Sequence, residues 1–217
     1  MIIDLNLHDK TVIVIGGGNE AQKRINSLLK QDCRILVISD SVNSQINKLV
    51  KAKKIKLKKQ KIQDTKFISK LKPNMIITTT NDKNLNQKII NSAKRSKIIA
   101  YSSDNPEDSD FSNPAIIDFE NMIQIAIFTG GRSPAMSKKI RIQSEKIFKK
   151  IITKEDIDQI KIQKIARKLA KEIIPTQTQR REYLRSIITD NKVEQLIKDG
   201  QLKKAERRAI TILRNWK

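Results

Sequence analysis

The sequence predicts an α/β protein in which a parallel-sheet domain precedes a strand pair with a long helix and a small helical C-terminal domain. Apolar, β-branched runs alternate with segments of helical periodicity up to Ala100, and parallel neighbouring strands need such crossover helices. Three consecutive glycines follow the first apolar run directly. After Pro106 the alternation stops, and two short apolar runs give way to helices.

The first domain is predicted to alternate strands with helices. Residues 11–15 are a β-branched run that ends abruptly at the glycines, which indicates a buried strand followed by a tight turn. The next segment places Ala21, Ile25 and Leu28 at helical spacing. By the same reasoning we predict strands at 11–15, 34–38, 54–58, 75–78 and 97–100, and helices at 19–31, 42–50, 65–71 and around 85–93.

The rest of the chain is predicted to hold a strand pair and a series of helices. The strands cover 115–118 and 122–128, with a turn at Glu120 and Asn121. Ser133 can cap the helix that follows, and Pro134 suits its first position. Further helices are predicted at 154–173, 178–189, 191–198 and 201–215. We therefore predict three domains, at residues 1–113, 114–150 and 151–217.

The composition excludes several classes of protein. With 31% charged and 38% hydrophobic residues, the chain is neither a disordered tail nor a membrane protein, and no apolar run approaches the roughly 20 residues that span a bilayer. The single Cys33 excludes a disulfide scaffold, and the single His8 excludes a multi-histidine metal site. No export signal is visible, so we expect a cytoplasmic protein. The net charge of +22 is spread along the chain and does not by itself predict nucleic-acid binding.

The glycine turn predicts a dinucleotide site in a Rossmann-type domain. Gly16-Gly17-Gly18-Asn19-Glu20-Ala21 fits G-x-G-x-x-G/A between a strand and a helix, where glycines allow a tight turn and a close approach to pyrophosphate. Asp40 follows the second strand, where a carboxylate accepts hydrogen bonds from the ribose hydroxyls and favours NAD over NADP. Ser39 and Ser41 are the alternatives for that position.

Two later clusters carry further candidate residues. Asp104 follows the fifth strand, at the carboxyl edge where open α/β sheets bind ligands, although it could instead cap the turn at Asn105. The segment 129–134 places flexible backbone and Arg132 at a helix N-terminus, which suits carboxylate ligands. Solvated surface charges are the alternative reading of such basic residues.

The motifs occur together in an order and spacing that resemble the precorrin-2 dehydrogenase/sirohydrochlorin ferrochelatase family of sirohaem synthesis. The resemblance covers residues 1 to about 150 well and the helical tail more loosely. The motifs that carry it are Gly16-Gly-Gly with Ala21 and Lys23-Arg24, Thr79-Thr-Asn-Asp82 with Leu85-Asn86, Asp104-x-Pro106, Asp110-Phe111, Pro114-Ala115, and Thr129-Gly-Gly-x-Ser-Pro134 with Lys138 and Arg141.

The resemblance implies oxidation of precorrin-2 to sirohydrochlorin with NAD as cofactor and, in some members, insertion of ferrous iron. It implies a homodimer in which 114–150 is the dimerisation region. The family's key acid falls on Asp104. Its cofactor contacts fall on Gly16, Gly17, Gly18, Asn19, Glu20, Asp40, Ser41, Thr79 and Thr80. The predicted substrate contacts are Thr129, Gly130, Gly131, Arg132, Ser133, Lys138 and Arg141. No protein residue is predicted to hold a metal, because a single histidine and a single cysteine indicate that the macrocycle supplies most of the metal ligands.

The chain departs from the family pattern at two places. Tyr101-Ser102-Ser103 stands where an asparagine and two aliphatic residues are usual, and Phe119 replaces a frequent arginine. Two rival functions stay open from the residues alone. One is an NAD-sensing regulator that docks on nucleic acid through the segment around Gln177 and Arg180, and the other is a nucleotide-gated subunit of a membrane channel.

Overall fold

The computed structural model describes residues 2–216 and divides after Pro114 into two compact units. The first unit contains a five-stranded, fully parallel sheet in the order β3-β2-β1-β4-β5. Its strands are β1 Thr11–Ile15, β2 Arg34–Ser39, β3 Lys56–Lys59, β4 Met75–Thr78 and β5 Ile99–Ser102. Its helices are α1 Asn19–Leu28, α2 Ser44–Lys51, α3 Lys66–Leu71 and α4 Lys83–Arg95, and a short 3-10 turn follows at Pro106–Asp108.

The strand order creates a crevice at the carboxyl edge of the sheet. From β1 the chain adds β2 and β3 on one side, and then crosses over to add β4 and β5 on the other. The order therefore reverses between β1 and β4, whose last residues Ile15 and Thr78 are register partners. In open α/β sheets, ligands bind outside the carboxyl ends of the strands at this reversal point.

Apolar layers cover both faces of the sheet. Alternate residues of β1 point to opposite sides, so that Val12 and Val14 join one buried cluster while Ile13 and Ile15 join the other. Helices α1 and α2 contribute to the first cluster, and α3 and α4 to the second. Burial on both faces explains why the central strands β1, β2 and β4 are continuous apolar runs, whereas the exposed edge strand β3 alternates lysine with leucine.

The second unit begins with an antiparallel pair, β6 Ala115–Phe119 and β7 Ile123–Ile127. Glu120 and Asn121 make the turn with positive φ angles of 51° and 56°. Helix α5, Pro134–Ile151, packs on this strand pair. Four helices follow: α6 Lys154–Ile173, α7 Gln177–Ile188, α8 Asn191–Lys198 and α9 Leu202–Arg214.

The helices α6 to α9 surround Tyr183. Its ring is fully buried, its hydroxyl donates to the Ala209 carbonyl at 3.0 Å, and Trp216 packs edge-on at a centroid distance of 5.5 Å. Burial raises the pKa of Tyr183 to about 12. Trp216 therefore anchors the end of the described chain by packing. None of the helices within residues 2–216 has the length and apolar character needed to cross a membrane.

The predicted fold class is confirmed, and the bounds of several elements differ from the prediction. Strands β3 and β5 begin two residues later than expected because Lys53 and Lys97 adopt left-handed conformations, with φ angles of 56° and 55°, that turn the chain just before each strand. Helix α1 ends at Leu28, since the amides of Lys30 and Gln31 bond three residues back and make a turn. The separation of 114–150 from 151–217 as domains stays a prediction.

Candidate functional site

The first two glycines of the turn are fixed by close contacts. Gly16 has a φ of +112°, and a Cβ there would lie 2.5 Å from Thr79 Oγ1. A Cβ on Gly17 would lie 2.0 Å from the carbonyl oxygen of Ser41 and 2.8 Å from Val42 Cα. At Gly17 these contacts are with backbone atoms and cannot form without movement of the chain, and at Gly16 the positive φ disfavours any side chain. Glycine is therefore required at both positions by the fold itself.

Gly18 differs from its two neighbours because the space around it is open. A Cβ on Gly18 would meet no atom within 4 Å, and both Gly18 and Asn19 are exposed. Gly18 is the N-cap of the ten-residue helix α1 and supplies no side chain to its free amides. Unpaired amides and the helix dipole favour an anion at such a terminus. The turn therefore fits the pyrophosphate of a dinucleotide.

A cavity of about 310 Å³ lies beside the turn at the carboxyl ends of β1, β2 and β4. Gly16, Asp40 and Thr80 are among the residues that line it. Asp40 is exposed, whereas Ser39 is buried and donates its hydroxyl to the carbonyl of Ser41 at 2.6 Å. Of the side chains considered for the ribose, the Ser39 hydroxyl is occupied, and Ser41 Oγ donates to Oδ1 of the exposed Asp40 carboxylate at 3.4 Å.

Glu20 lies in an ionic cluster on the first turns of α1. Its carboxylate pairs with the side chains of Lys23 and Arg24. Although burial raises it, the pKa of Glu20 is lowered overall by the charges and hydrogen bonds of these two residues. The Arg24 guanidinium also lies 4.9 Å from the ring centroid of Tyr101 and donates to its hydroxyl at 3.1 Å. The predicted cofactor contact is therefore engaged within the protein.

Thr79 and Thr80 follow β4 and have different surroundings. The Thr79 amide and hydroxyl both donate to the carbonyl of Ile15, each at 2.8 Å. Thr79 thus stabilises the residue that directly precedes the glycine turn. Thr80 lines the cavity and donates its hydroxyl to Asn86 Oδ1 at 2.6 Å. Of the two predicted contacts, Thr80 is the one that borders open space.

Asp104 lies just beyond β5 with one carboxylate oxygen engaged and the other open. Oδ1 accepts from Ser102 Oγ at 2.5 Å and from Asn86 Nδ2 at 2.9 Å. Oδ2 has no hydrogen-bond donor among residues 2–216, and the side chain is exposed. The alternative role as a cap for the turn at Asn105 is wrong, because the carboxylate bonds backwards along the chain to β5 and across to α4.

Three residues of this edge were not predicted to belong to the site: Asn43, Asn86 and Ser102. Asn43 caps α2 through the amide of Ile46 at 2.9 Å and donates to Gln22 Oε1 at 2.7 Å, which ties α2 to α1. An asparagine directly before a helix was the available signal. Asp110, one of the residues that carry the family resemblance, accepts the amide of Ala100 at 2.8 Å.

The predicted substrate residues of the second unit surround the start of α5. Gly130 and Gly131 have φ angles of 64° and 76°, and Ser133 caps the helix through the amide of Met136 at 3.2 Å. Thr129 Oγ1 accepts the amide of Ser133 at 3.2 Å, which closes the turn.

The three cationic side chains near this turn differ in whether they form ion pairs. Arg132 and Lys138 are exposed and have no ion pair within the described residues. Arg141 Nη1 donates to Glu145 Oε2 at 2.6 Å. Hydrogen bonding and charge from Lys149, and then from Arg141, lower the pKa of Glu145. Two of the three predicted carboxylate-binding cations are therefore free in this structure.

Comparison with known proteins gives concordant results. A family model described as "Putative NAD(P)-binding" matches residues 3–115. A siroheme synthase from Actinobacillus pleuropneumoniae serotype 7 is 27% identical over 213 residues, which cover 98% of this chain and 42% of that protein. A siroheme synthase from Vesicomyosocius okutanii is 31% identical over 143 residues, covering 66% and 30%. The chain thus spans less than half the length of these curated relatives.

Among solved structures, SirC, a precorrin-2 dehydrogenase, has a TM-score of 0.69 with 22% identity and covers 96% of this chain and 99% of its own. This likeness shows a shared fold over nearly the whole of both chains. The family model, in turn, covers more than half of this chain and includes the glycine turn and Asp104. These findings confirm the resemblance to the precorrin-2 dehydrogenase family, and the chain belongs to the NAD(P)-binding family whose model it matches.

Proposed function

We propose that this protein oxidises precorrin-2 to sirohydrochlorin with NAD. The observation that carries the proposal is the Asp104 carboxylate, which lies at the same sheet edge as the glycine turn and keeps one oxygen open. The names of the siroheme synthases and of SirC supply the substrate class. If Asp104 were only a solvated loop residue, there would be no reason for the protein to hold one of its carboxylate oxygens and leave the other open.

The described residues fit a dinucleotide along this edge. The free amides at Gly18 would hold the pyrophosphate, and the Asp40 carboxylate would accept the ribose hydroxyls. When bound, NAD supplies the hydride acceptor. The protein orients the substrate against it and provides the group that takes the proton.

Asp104 is the proposed base. When precorrin-2 gives up one hydride, its ring system also releases one proton. Asp104 Oδ2 is the open acceptor at this edge. Oδ1 keeps its hydrogen bonds throughout, since both come from protein donors. Precorrin-2 is an octacarboxylate, and we assign Arg132 and Lys138, with Arg141, as the cations that bind its side chains.

The direct test is to mix the protein anaerobically with precorrin-2 and NAD. We expect the absorbance of NADH to rise in step with the absorbance of sirohydrochlorin. A sensing regulator or a channel subunit would bind NAD without turnover, so binding with no NADH would contradict the proposal. Adding ferrous ion to the same vessel after turnover tests iron insertion, which the family resemblance implies for some members, against the uncatalysed rate.

Asp40→Ser is expected to lower the preference for NAD over NADP about tenfold in kcat/KM. The carboxylate accepts two ribose hydroxyls and repels a 2′-phosphate, and losing one charged hydrogen bond of this kind costs about 1.5–3 kcal/mol. Steady-state kinetics with both cofactors measure the ratio. Asp64→Ser, which removes an exposed carboxylate that does not line the cavity, is the control. An unchanged ratio in Asp40→Ser would remove Asp40 from the site.

We also propose a cytoplasmic homodimer joined through α5 and the strand pair. Helix α5 exposes a stripe of large apolar side chains at helical spacing: Met136 at 45%, Ile140 at 37%, Ile147 at 59% and Ile151 at 62%. A two-stranded sheet is marginally stable alone, and an apolar stripe of this length is typical of a surface that a partner covers.

Ile147→Glu is expected to convert the dimer to a monomer in analytical ultracentrifugation, because a carboxylate is costly to bury in an apolar interface. Ile188→Glu is the matched control, since Ile188 is equally exposed, at 59%, but lies on α7. A dimer that survives Ile147→Glu, or a wild-type monomer, would refute this interface.

A further inference from the structure

A buried pair of hydroxyl groups lies at the ends of β4 and β5. Thr78 and Ser102 are register partners in these neighbouring parallel strands. Their side chains are buried, with 0% and 2% exposure, and the two hydroxyl oxygens are 2.9 Å apart. A buried hydroxyl costs free energy unless it is hydrogen-bonded. Two hydroxyls in contact hold two hydrogens, so at least one must find an acceptor outside the pair.

That acceptor is the Asp104 carboxylate. Ser102 donates its hydroxyl hydrogen to Oδ1 at 2.5 Å, so the hydrogen between the two hydroxyls must come from Thr78. The donor direction is thus fixed from Thr78 through Ser102 to Asp104. Asn86, fully buried on α4, adds a second donor to the same oxygen at 2.9 Å. Its own amide oxygen is held by Thr80 at 2.6 Å.

Two donors on one oxygen restrict rotation of the carboxylate. Hydrogen bonds to a charged acceptor are about twice as strong as neutral ones, so Oδ1 is held on the protein side. Oδ2 is left as the oxygen that can meet a ligand. A proton taken up at Oδ2 leaves the lone pairs of Oδ1 unchanged, so both internal contacts persist in the protonated acid.

We propose that Ser102 is a positioning residue that orients the Asp104 carboxylate so that Oδ2 accepts the proton released from the substrate. This inference rests on the proposed function, in which Asp104 is the base. It gives a role to the segment 101–103, where the chain departs from the family's usual aliphatic residues. Ser102 itself touches neither substrate nor cofactor in this role.

Ser102→Ala is expected to lower kcat about tenfold, the equivalent of about 1.4 kcal/mol, while KM for precorrin-2 and Kd for NAD change less than about twofold. A role in stability alone would not produce this split. Ser102→Thr keeps the hydroxyl donor and is expected to recover most of kcat. Ser103→Ala is the matched control, because the Ser103 hydroxyl donates to the Thr78 carbonyl at 3.0 Å and not to Asp104. We expect wild-type kinetics from it.

The thermal unfolding of each variant is measured before its kinetics. Should Ser102→Ala fail to fold, Thr78→Val replaces it, since valine keeps the volume and removes the donor behind Ser102. We then expect kcat to fall about threefold, as the loss acts through one further hydrogen bond. An unchanged kcat in a folded Ser102→Ala or Thr78→Val variant overturns the proposal.

Crystal structures of the wild type and Ser102→Ala separate this inference from the proposed function. We expect the Asp104 carboxylate to rotate away from Asn86 in the variant, whether or not the protein oxidises precorrin-2. A wild type that binds NAD but does not turn over would defeat the proposed function, while the position of Asp104 still decides the positioning role. An unmoved carboxylate in the variant contradicts that role directly.

Discussion

Asp104→Ala is expected to reduce the rate of sirohydrochlorin formation at least about 100-fold, because it removes the carboxylate that we propose as the proton acceptor. The variant should fold, since Asp104 is exposed and its loss leaves the apolar clusters of the sheet untouched. It should also bind NAD with wild-type affinity, because the glycine turn and Asp40 are unchanged. Anaerobic turnover with precorrin-2 and fluorescence titration with NADH measure the two effects separately.

Asp104→Asn is the sharper companion variant. Its side-chain oxygen can still accept from Ser102 and Asn86, but an amide cannot take up a proton at the position of Oδ2. We expect the same loss of turnover with the local hydrogen bonds preserved. Near-normal turnover in either variant would refute Asp104 as the base, and a loss of NADH binding in both would indicate a role in cofactor binding instead.

Gly17→Ala is expected to impair both stability and cofactor binding. The new Cβ would overlap the carbonyl oxygen of Ser41, which is backbone and cannot rotate away, so the turn and the loop after β2 must separate. Strain of this kind in a packed site costs about 1–3 kcal/mol. We expect a lower midpoint of thermal unfolding and at least about a tenfold weaker NADH affinity, measured by calorimetry and by fluorescence titration.

Gly18→Ala is the matched control because the same methyl group enters open space. A Cβ there meets no protein atom within 4 Å, so the stability should stay within about 0.5 kcal/mol of the wild type. The methyl group would nevertheless stand where the pyrophosphate must approach the helix amides, and NADH affinity should fall. Equal thermal midpoints for Gly17→Ala and Gly18→Ala would contradict the close contact with Ser41.

The central strands β1, β2 and β4 could be predicted from sequence because they are buried on both faces. Such strands are continuous β-branched runs, and each is followed by a segment of helical period. The ends of the elements were less accessible. Nothing in Lys53 or Lys97 signals a left-handed conformation, since non-glycine residues seldom adopt it. The two strands that follow these lysines were consequently predicted two residues too early.

The site could be predicted only in part, and the reason is the same for each missed residue. Glycines and exposed acids follow recognisable spacings, so the turn and Asp104 could be named as candidates. Asn86 and Ser102 are buried polar residues that matter because they donate to Asp104, which lies outside their own helix and strand. The sequence alone does not show which residues become neighbours in the fold. Ser102 also fell outside the predicted strand, so its pairing with Thr78 was hidden.

The contact between Gly17 and the Ser41 backbone bears on any attempt to redesign the cofactor preference. We propose that Asp40 distinguishes a 2′-hydroxyl from a 2′-phosphate, so exchanging the loop around it for one of another length is an obvious strategy. Here the loop forms one wall of the glycine turn, and the Gly17 carbonyl accepts the amide of Asn43 at 2.9 Å. A grafted loop would therefore also shift the glycine turn that we propose to bind the pyrophosphate. The glycine turn and the loop after β2 must therefore be replaced together.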